Sequence, residues 1–323
     1  MSDPFAVLSD ADRGLLRPAP RPERVQEMKA VLTDERFSDP DWIFERKLDG
    51  IRCLATKAES QVRLRSRNDL SLNGRFPEVA QALADDPATD LVLDGEIVAF
   101  AGGQTSFARL QQRGERRVAI FFYVFDLLHL AGHDITALPL RARKALLRHA
   151  LAWDGPLRLT PHRNRDGEPL FAEACRKGWE GLIAKRADAP YTPGRSRDWL
   201  KFKCSAEQEL VIGGFTAPRG SRTDLGALLL GHFEDGRLRY AGKVGTGFTQ
   251  TTLRDLAARL APLQRATTPF ADDVRERHVT WVEPELVAQI GFSEWTRDGR
   301  LRHPRYLGLR DDKPAREVVR EQR

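Results

Sequence analysis

The chain has 323 residues, 41% hydrophobic and 30% charged, with a formal net charge of +6 and a pI near 9.4. That length suits two domains, each able to bury a core, and the composition excludes a disordered or fibrous chain. No apolar run approaches the roughly 20 residues that span a bilayer, and no secretory pattern opens the sequence; a polyanionic partner is favoured over a membrane.

Residues 1–20, rich in Pro, Arg and Asp, read as an irregular arm. Pro22 then opens an expected helix over residues 23–33. Strands are expected at residues 42–47 and 51–57, around the stretch Glu45-Arg46-Lys47-Leu48-Asp49-Gly50-Ile51-Arg52. Asp49-Gly50 marks a tight turn, the glycine permitting a positive φ or a close backbone approach to a phosphate. Lys47 leaves the strand into that turn. A lysine becomes a nucleophile only if its pKa is brought down from about 10.4, by burial or neighbouring positive charge. On its own the pattern fits an ordinary hairpin with a solvated lysine equally well.

In the next expected strand, residues 61–67, the arginines Arg63, Arg65 and Arg67 fall on one face, matching either a row of phosphates or solvent. A helix follows at residues 76–85. The apolar strand at residues 91–100 contains Asp94 and Glu96 on a common face, which calls for pairing, a metal or a pocket. After a helix at residues 105–113, the buried strand at residues 118–125 ends in Phe125-Asp126; the ring is placed to stack on a purine or to pack in the core. Helices are expected at residues 139–153, heavily basic, and 167–177.

Glu180 stands at the lip of the apolar run that ends in Lys185, and residues 190–197 read as a loop exposing Arg195 and Arg197. In the following strand Lys201 and Lys203 share one face and Leu200 and Phe202 the other. Beyond Cys204 short strands at residues 209–215, 227–233 and 238–244 alternate with glycine-rich turns, and a helix follows at residues 251–260. This texture suggests a small barrel, with a domain boundary near Ser205. Residues 294–323 read as a solvated basic tail. Cys53, Cys175 and Cys204 lack metal-ligand spacing and are expected as reduced thiols of a cytoplasmic protein. His129, His149 and His232 sit in apolar contexts that suit hydrogen-bonded core histidines.

Taken in order, Lys-x-Asp-Gly-x-Arg, Asp-Gly-Glu, Phe-Asp, Glu-Gly-Leu-Ile-Ala-Lys, Trp-Leu-Lys-Phe-Lys and Arg-x-Asp-Lys make the sequence resemble the covalent nucleotidyltransferases. Within them it is similar to bacterial ATP-dependent DNA ligases, the ligase module of ligase D and stand-alone relatives of the ligase C type. The resemblance runs from about residue 41 onward. It implies an α+β fold: a nucleotidyltransferase domain of antiparallel sheets flanked by helices over residues 1–205, then an OB-fold β-barrel over residues 206–323.

By the same resemblance Lys47 is the adenylated lysine, with Asp49 and Arg52 beside it in the catalytic motif. Glu45 matches the adenine-recognising position, and Arg52 and Arg67 the arginines near ribose, phosphate and nick termini. Glu96 matches a ribose- and metal-associated acid, Phe125 the base-stacking ring, and Glu180 the ligand for Mg²⁺, with Mn²⁺ as an alternative. Lys201 and Lys203 correspond to α-phosphate contacts, with Lys185 a further candidate for the nucleotide. Arg310 and Lys313, with Asp312 between, match residues that close over pyrophosphate, which implies a hinge near Ser205. Arg63, Arg65, Arg195 and Arg197 are candidates for duplex phosphates.

The implied reaction is ATP-dependent sealing of nicked duplex DNA in repair or end joining, by a monomer in the bacterial cytoplasm at the nucleoid, with Ku or other repair proteins as candidate partners. Rival readings are an RNA ligase, an mRNA-capping guanylyltransferase, or a catalytically silent DNA-binding scaffold.

Overall fold

A computed structural model of the chain describes residues 3–111, 118–204, 206–218 and 225–321. The chain divides into two compact units, one ending at Cys204 and the other beginning directly after it. Strands dominate both and pair mainly antiparallel, with few helices, an α+β architecture.

The first unit holds two sheets. The larger runs in the order Arg17–Pro18, His133–Asp134, Ile120–Leu130, Asp90–Ala101, Ile51–Ala58, Gln61–Ser66. The smaller runs His162–Arg165, Asp39–Arg46, Gly181–Arg186, Gly194–Lys203, Met28–Leu32. Alternation along the strands sorts their side chains into separate cores. Leu91, Leu93, Ile97 and Ala99 pack with Val79 and Leu83 of the helix Pro77–Asp85 and with Leu146 and Leu147 of the helix Leu140–Ala150. Phe44, Leu182, Ala184, Leu200 and Phe202 line one face of the smaller sheet. Its other face contributes Met28 and Trp199 to a cluster with Leu54, Val92 and Phe125 of the larger sheet. That last cluster borders the site described below.

In the second unit a seven-stranded sheet is centred on Ala206–Thr216, which pairs with Leu228–Glu234, Val279–Val282 and Val287–Phe292. The described pairings form a sheet and not a complete circuit, in keeping with the partly open barrel of an OB-fold. Its helix, Gln250–Leu260, begins where the Thr249 hydroxyl accepts from the Thr252 amide at 3.1 Å and buries Leu253, Leu256 and Leu260 along one stripe.

Several expectations change. Residues 23–33 form no helix: Met28–Leu32 is a strand, paired in parallel with Gly194–Lys203. Local helix signals yield to this long-range pairing and to burial of Met28. The N-terminal segment docks through buried Phe5 and Leu8, and Arg17–Pro18 pairs with His133–Asp134. The Phe125 strand continues to Leu130, so Phe125 lies within it and not at its end. Arg195 and Arg197 belong to the strand Gly194–Lys203, not to a loop. Residues 112–113 of the expected helix lie outside the described residues; Phe107–Gln111 is helical.

The C-terminal segment is no solvated tail, since the strand Arg305–Leu309 pairs with Val287–Phe292 and Val318 is fully buried. His149 is exposed, whereas His129 is buried with Nε2 3.0 Å from Asp90 Oδ2. Finally, Cys175 and Cys204 are joined by a disulfide across Cα atoms 5.2 Å apart, leaving Cys53 as the free, buried thiol. The expectation of three reduced thiols fails because the helix Gly167–Arg176 packs beside the end of the last strand of the unit.

Candidate active site

Lys47 follows the strand Asp39–Arg46 directly, and its amide donates to the Gly181 carbonyl at 2.9 Å, extending the pairing with Gly181–Arg186 by one step. The same pairing brings Glu180 to the lysine: Lys47 Nζ donates to Glu180 Oε1, with both side chains mostly buried. Gly181, at φ +149, is obligatory there, because a Cβ would lie 1.8 Å from the Phe202 carbonyl oxygen. Gly50 has no positive φ and answers to a close approach within the fold. A Cβ would meet the Ile97 carbonyl oxygen at 2.3 Å, so the glycine lets the turn rest on the strand Asp90–Ala101. Asp49 anchors that turn: its amide donates to Thr105 Oγ1 and its Oδ2 accepts from the Phe107 amide, each at 3.1 Å, capping the helix Phe107–Gln111.

The electrostatics of Lys47 reverse the simplest expectation. Burial favours its neutral amine, but Glu180, by charge and hydrogen bond, with Asp49 and Glu96 adding negative charge, outweighs burial and holds the pKa above the ordinary lysine value. As the site stands, Lys47 is an ammonium.

Glu45 lies two strand positions before Lys47, on the same face. It is 2% exposed and faces two buried cations, Lys144 Nζ at its Oε1 and Lys185 Nζ 2.7 Å from its Oε2. Burial pushes the Glu45 carboxyl up, but Lys144 and Lys185 outweigh burial and hold it below the usual carboxylate range. Lys185 goes the other way: burial, with Lys144 beside it, brings it down to about 8 against the pull of Glu45. Its ammonium nitrogen lies 4.2 Å from the Phe125 ring centroid and 4.1 Å from that of Trp199.

Arg52 is committed to Asp94. Its Nε and Nη2 donate to the two carboxylate oxygens at 2.5 and 2.6 Å, and its guanidinium lies 4.6 Å from the Phe125 ring centroid. Tyr191 Oη donates to Asp94 Oδ2 at 2.7 Å and accepts from the Met28 amide at 2.8 Å. Asp94 therefore orients Arg52, the pairing that the sequence allowed for a costly buried acid. Arg67 Nε lies 3.6 Å from Glu27, whose carboxylate also meets Lys29 at 3.2 Å. Lys201 and Lys203 sit opposite Ile183 and Gly181 in register, on the strand face that carries Trp199.

The structure thus brings Lys47, Glu180, Asp49 and Glu96 together, Glu45 with Lys185, and Arg52 with Phe125. Arg63 and Arg65 lie on the terminal strand of the larger sheet, Arg63 exposed and Arg65 donating to the Asp69 carbonyl at 2.9 Å. Arg195 and Arg197 are exposed on the smaller sheet. In the second unit Arg310 donates from Nε and Nη2 to Asp312 at 2.9 Å each, and Lys313 Nζ donates to Glu209 Oε2 at 2.9 Å.

Sequence reading missed the supporting charges Asp126, Arg143 and Lys144. Arg143 donates to both oxygens of Asp126 at 2.8 and 3.0 Å, with both side chains fully buried. A signal existed: Leu140, Arg143, Lys144 and Leu147 recur at one-face helical spacing, so the two cations fall on the apolar stripe.

For a divalent cation, Glu180, Glu96 and Asp49 offer hard carboxylate oxygens around Lys47, the donor type Mg²⁺ accepts when phosphates and water complete its shell. Among the described residues no three His, Cys, Asp or Glu side chains gather into an all-protein metal cage. No described helix is long and apolar enough to cross a membrane.

Comparison with known proteins places this geometry in a family. Residues 23–203 match the ATP dependent DNA ligase domain, and residues 221–313 the ATP dependent DNA ligase C terminal region. The multifunctional non-homologous end joining protein LigD of Pseudomonas aeruginosa is 39% identical over 313 residues, covering 94% of this chain and 37% of that protein. Its counterpart in Mycobacterium bovis is 42% identical over 287 residues, covering 87% of this chain and again 37% of the relative. The chain therefore spans well under half the length of these relatives. A solved structure of mycobacterial DNA ligase D complexed with ATP and MES superposes with a TM-score of 0.68 at 38% identity, covering 92% of this chain and 98% of that one. Both halves of the sequence and the fold agree: the chain belongs to the ATP-dependent DNA ligase family.

Proposed function

We propose that this protein joins a 5′-phosphate to a 3′-hydroxyl at breaks in duplex DNA, through an adenylate carried on Lys47. The observation that carries the reading is the Lys47–Glu180 pair, set at the end of a strand whose preceding position on the same face is the buried Glu45, and flanked by Asp49 and Glu96. A solvated hairpin lysine would need none of these. In this reading residues 1–205 are the adenylation domain and residues 206–323 the OB-fold domain, with Arg310 and Lys313 assigned to pyrophosphate.

Lys47 must lose a proton before it can attack. Glu180 Oε1 is the acceptor its Nζ faces, so the proton leaves along that hydrogen bond, or the ammonium loses its stabilising partner when Glu180 turns to another cation. Glu180 and Glu96 are the residues that would hold Mg²⁺ or Mn²⁺, which when bound supplies positive charge for the phosphate oxygens and removes negative charge from around the lysine. The neutral amine forms a P–N bond to the α-phosphorus of ATP as the bond to pyrophosphate breaks. AMP then passes to the 5′-phosphate of the DNA, and the 3′-hydroxyl attacks that phosphorus and expels AMP. Each step depends on alignment and charge neutralisation, to which Arg52, Arg67, Lys201 and Lys203 are assigned.

Arg63, Arg65, Arg195 and Arg197 are assigned to duplex phosphates, with no base-reading element. Ku, as a partner at broken ends, belongs to the same reading, as does a monomeric state. Exposure to α-labelled ATP and a divalent cation tests it: the intact mass should rise by one adenylate, mapped to Lys47. Preferential labelling by GTP would support a capping guanylyltransferase instead, and absence of label from a folded, initially unmodified preparation would leave only a DNA-binding scaffold.

A further inference from the structure

The cluster around Glu45 is charged but incompletely bonded. Glu45 Oε1, Lys144 Nζ and Lys185 Nζ are all buried; the two ammonium groups meet the carboxylate as ion pairs, and beyond these contacts the three atoms have no further hydrogen-bond partner among the described residues. Each group thus keeps hydrogen-bonding capacity that water or a ligand can complete. Here the unfilled capacity comprises a carboxylate acceptor and two ammonium donors, beside the rings of Phe125 and Trp199 and two strand positions from Lys47. A flat heterocycle bearing an amine next to a ring nitrogen matches that set, since the amine donates to Glu45 and the ring nitrogen accepts from an ammonium.

The two lysines differ in origin. Lys185 comes from the strand next to Glu45, whereas Lys144 comes from the helix Leu140–Ala150, whose neighbouring Arg143 is locked to Asp126 and to the Leu138 carbonyl at 2.5 Å. Lys144 is therefore delivered from a rigid support to one oxygen of the carboxylate, leaving Glu45 ionised and with a single orientation. A protonated or rotated Glu45 would offer the base edge a donor, or nothing.

We propose that Lys144 is a positioning residue for nucleobase selection, fixing Glu45 so that its carboxylate meets the exocyclic amine of adenine. This rests on the adenylation reading above. The test measures Lys47 adenylation with ATP and with purine riboside triphosphate, which lacks that amine, in the native protein and in Lys144→Met, with thermal unfolding confirming that each is folded.

A hydrogen bond to a charged acceptor predicts about 10- to 100-fold lower kcat/KM for the analogue in the native protein. In Lys144→Met the ratio should shrink to about threefold or less, through a rise in KM for ATP with little change in kcat, because the coupled contact is gone. If Lys144→Met does not fold, Lys144→Gln, which keeps length and polarity but not charge, carries the same measurement and expectation. An undiminished ratio in the folded variant, or a native protein that accepts both nucleotides equally, overturns the proposal while leaving the ligase reading intact. Failure of the native protein to take up either nucleotide overturns both.

Discussion

Two buried lysines lie on one sheet of this protein, and their surroundings treat them oppositely. Lys47 has Glu180 at hydrogen-bond distance with Asp49 and Glu96 beyond, and keeps its proton more tightly than a lysine in water. Lys185, more deeply buried at 1% side-chain exposure against 20% for Lys47, shares one carboxylate with Lys144 and drops to about 8. Deeper burial and a carboxylate shared with Lys144 bring Lys185 down, whereas Glu180, Asp49 and Glu96 together outweigh burial at Lys47. The residue assigned as nucleophile is thus the one held protonated, which makes its activation an event and not a resting property.

The sharpest way to break this comparison is to remove Lys47. Lys47→Ala should abolish adenylate uptake, leaving no detectable mass gain, even though Lys185 is the easier amine to deprotonate. Label that persists and maps to Lys185 would reverse the assignment.

The pair Arg143–Asp126 extends the comparison to a one-to-one pairing with no solvent at all. Arg143→Met leaves Asp126 buried without its counter-charge, and denaturant unfolding should show a loss of about 3–5 kcal/mol.

Glu180→Gln keeps the shape beside Lys47 but removes its main counter-charge. The pKa of Lys47 should fall, yet the adenylation rate should drop about 100-fold because the acceptor for its proton and a cation ligand are lost together. Thermal unfolding should change little. An unaltered rate would mean that the Lys47–Glu180 bond is only structural.

Lys185 gives the mildest signal, in the pH dependence of stability. Its folded pKa of about 8 lies below the ordinary lysine value of 10.5, so between these limits the unfolded chain binds more protons than the folded one. Stability contributed through Lys185 therefore rises with pH across that window, by up to about 1.4 kcal/mol per pH unit. Lys47, raised, contributes in the opposite sense only above its ordinary value. Thermal unfolding of Lys185→Met against the native protein from pH 8 to 10.5 should show the rising component disappear.

What the sequence made legible follows from the range of each signal. Alternation identified the strands around Lys47 and the shared face of Lys201 and Lys203, because a period of two is written within a few residues. Residues 23–33 were misread because Pro22 and an acidic turn are local, whereas the partner that makes Met28–Leu32 a strand begins at Gly194. The helix Leu140–Ala150 read only as heavily basic until Asp126 and Glu45, remote in sequence, supplied partners for Arg143 and Lys144. Asp94 read correctly as a costly buried acid, but only the fold shows that Arg52 and Tyr191 neutralise and bind it.

The bond between Cys175 and Cys204 has a mechanical meaning. Cys204 closes the first unit, and its amide donates to the Glu180 carbonyl at 3.0 Å, just beyond the Lys203–Gly181 pairing. Fraying of that strand from its end would take Lys203 away and free the backbone at Glu180 together. The sulfur link ties that end covalently to the helix Gly167–Arg176, which steadies the ladder beneath Lys47.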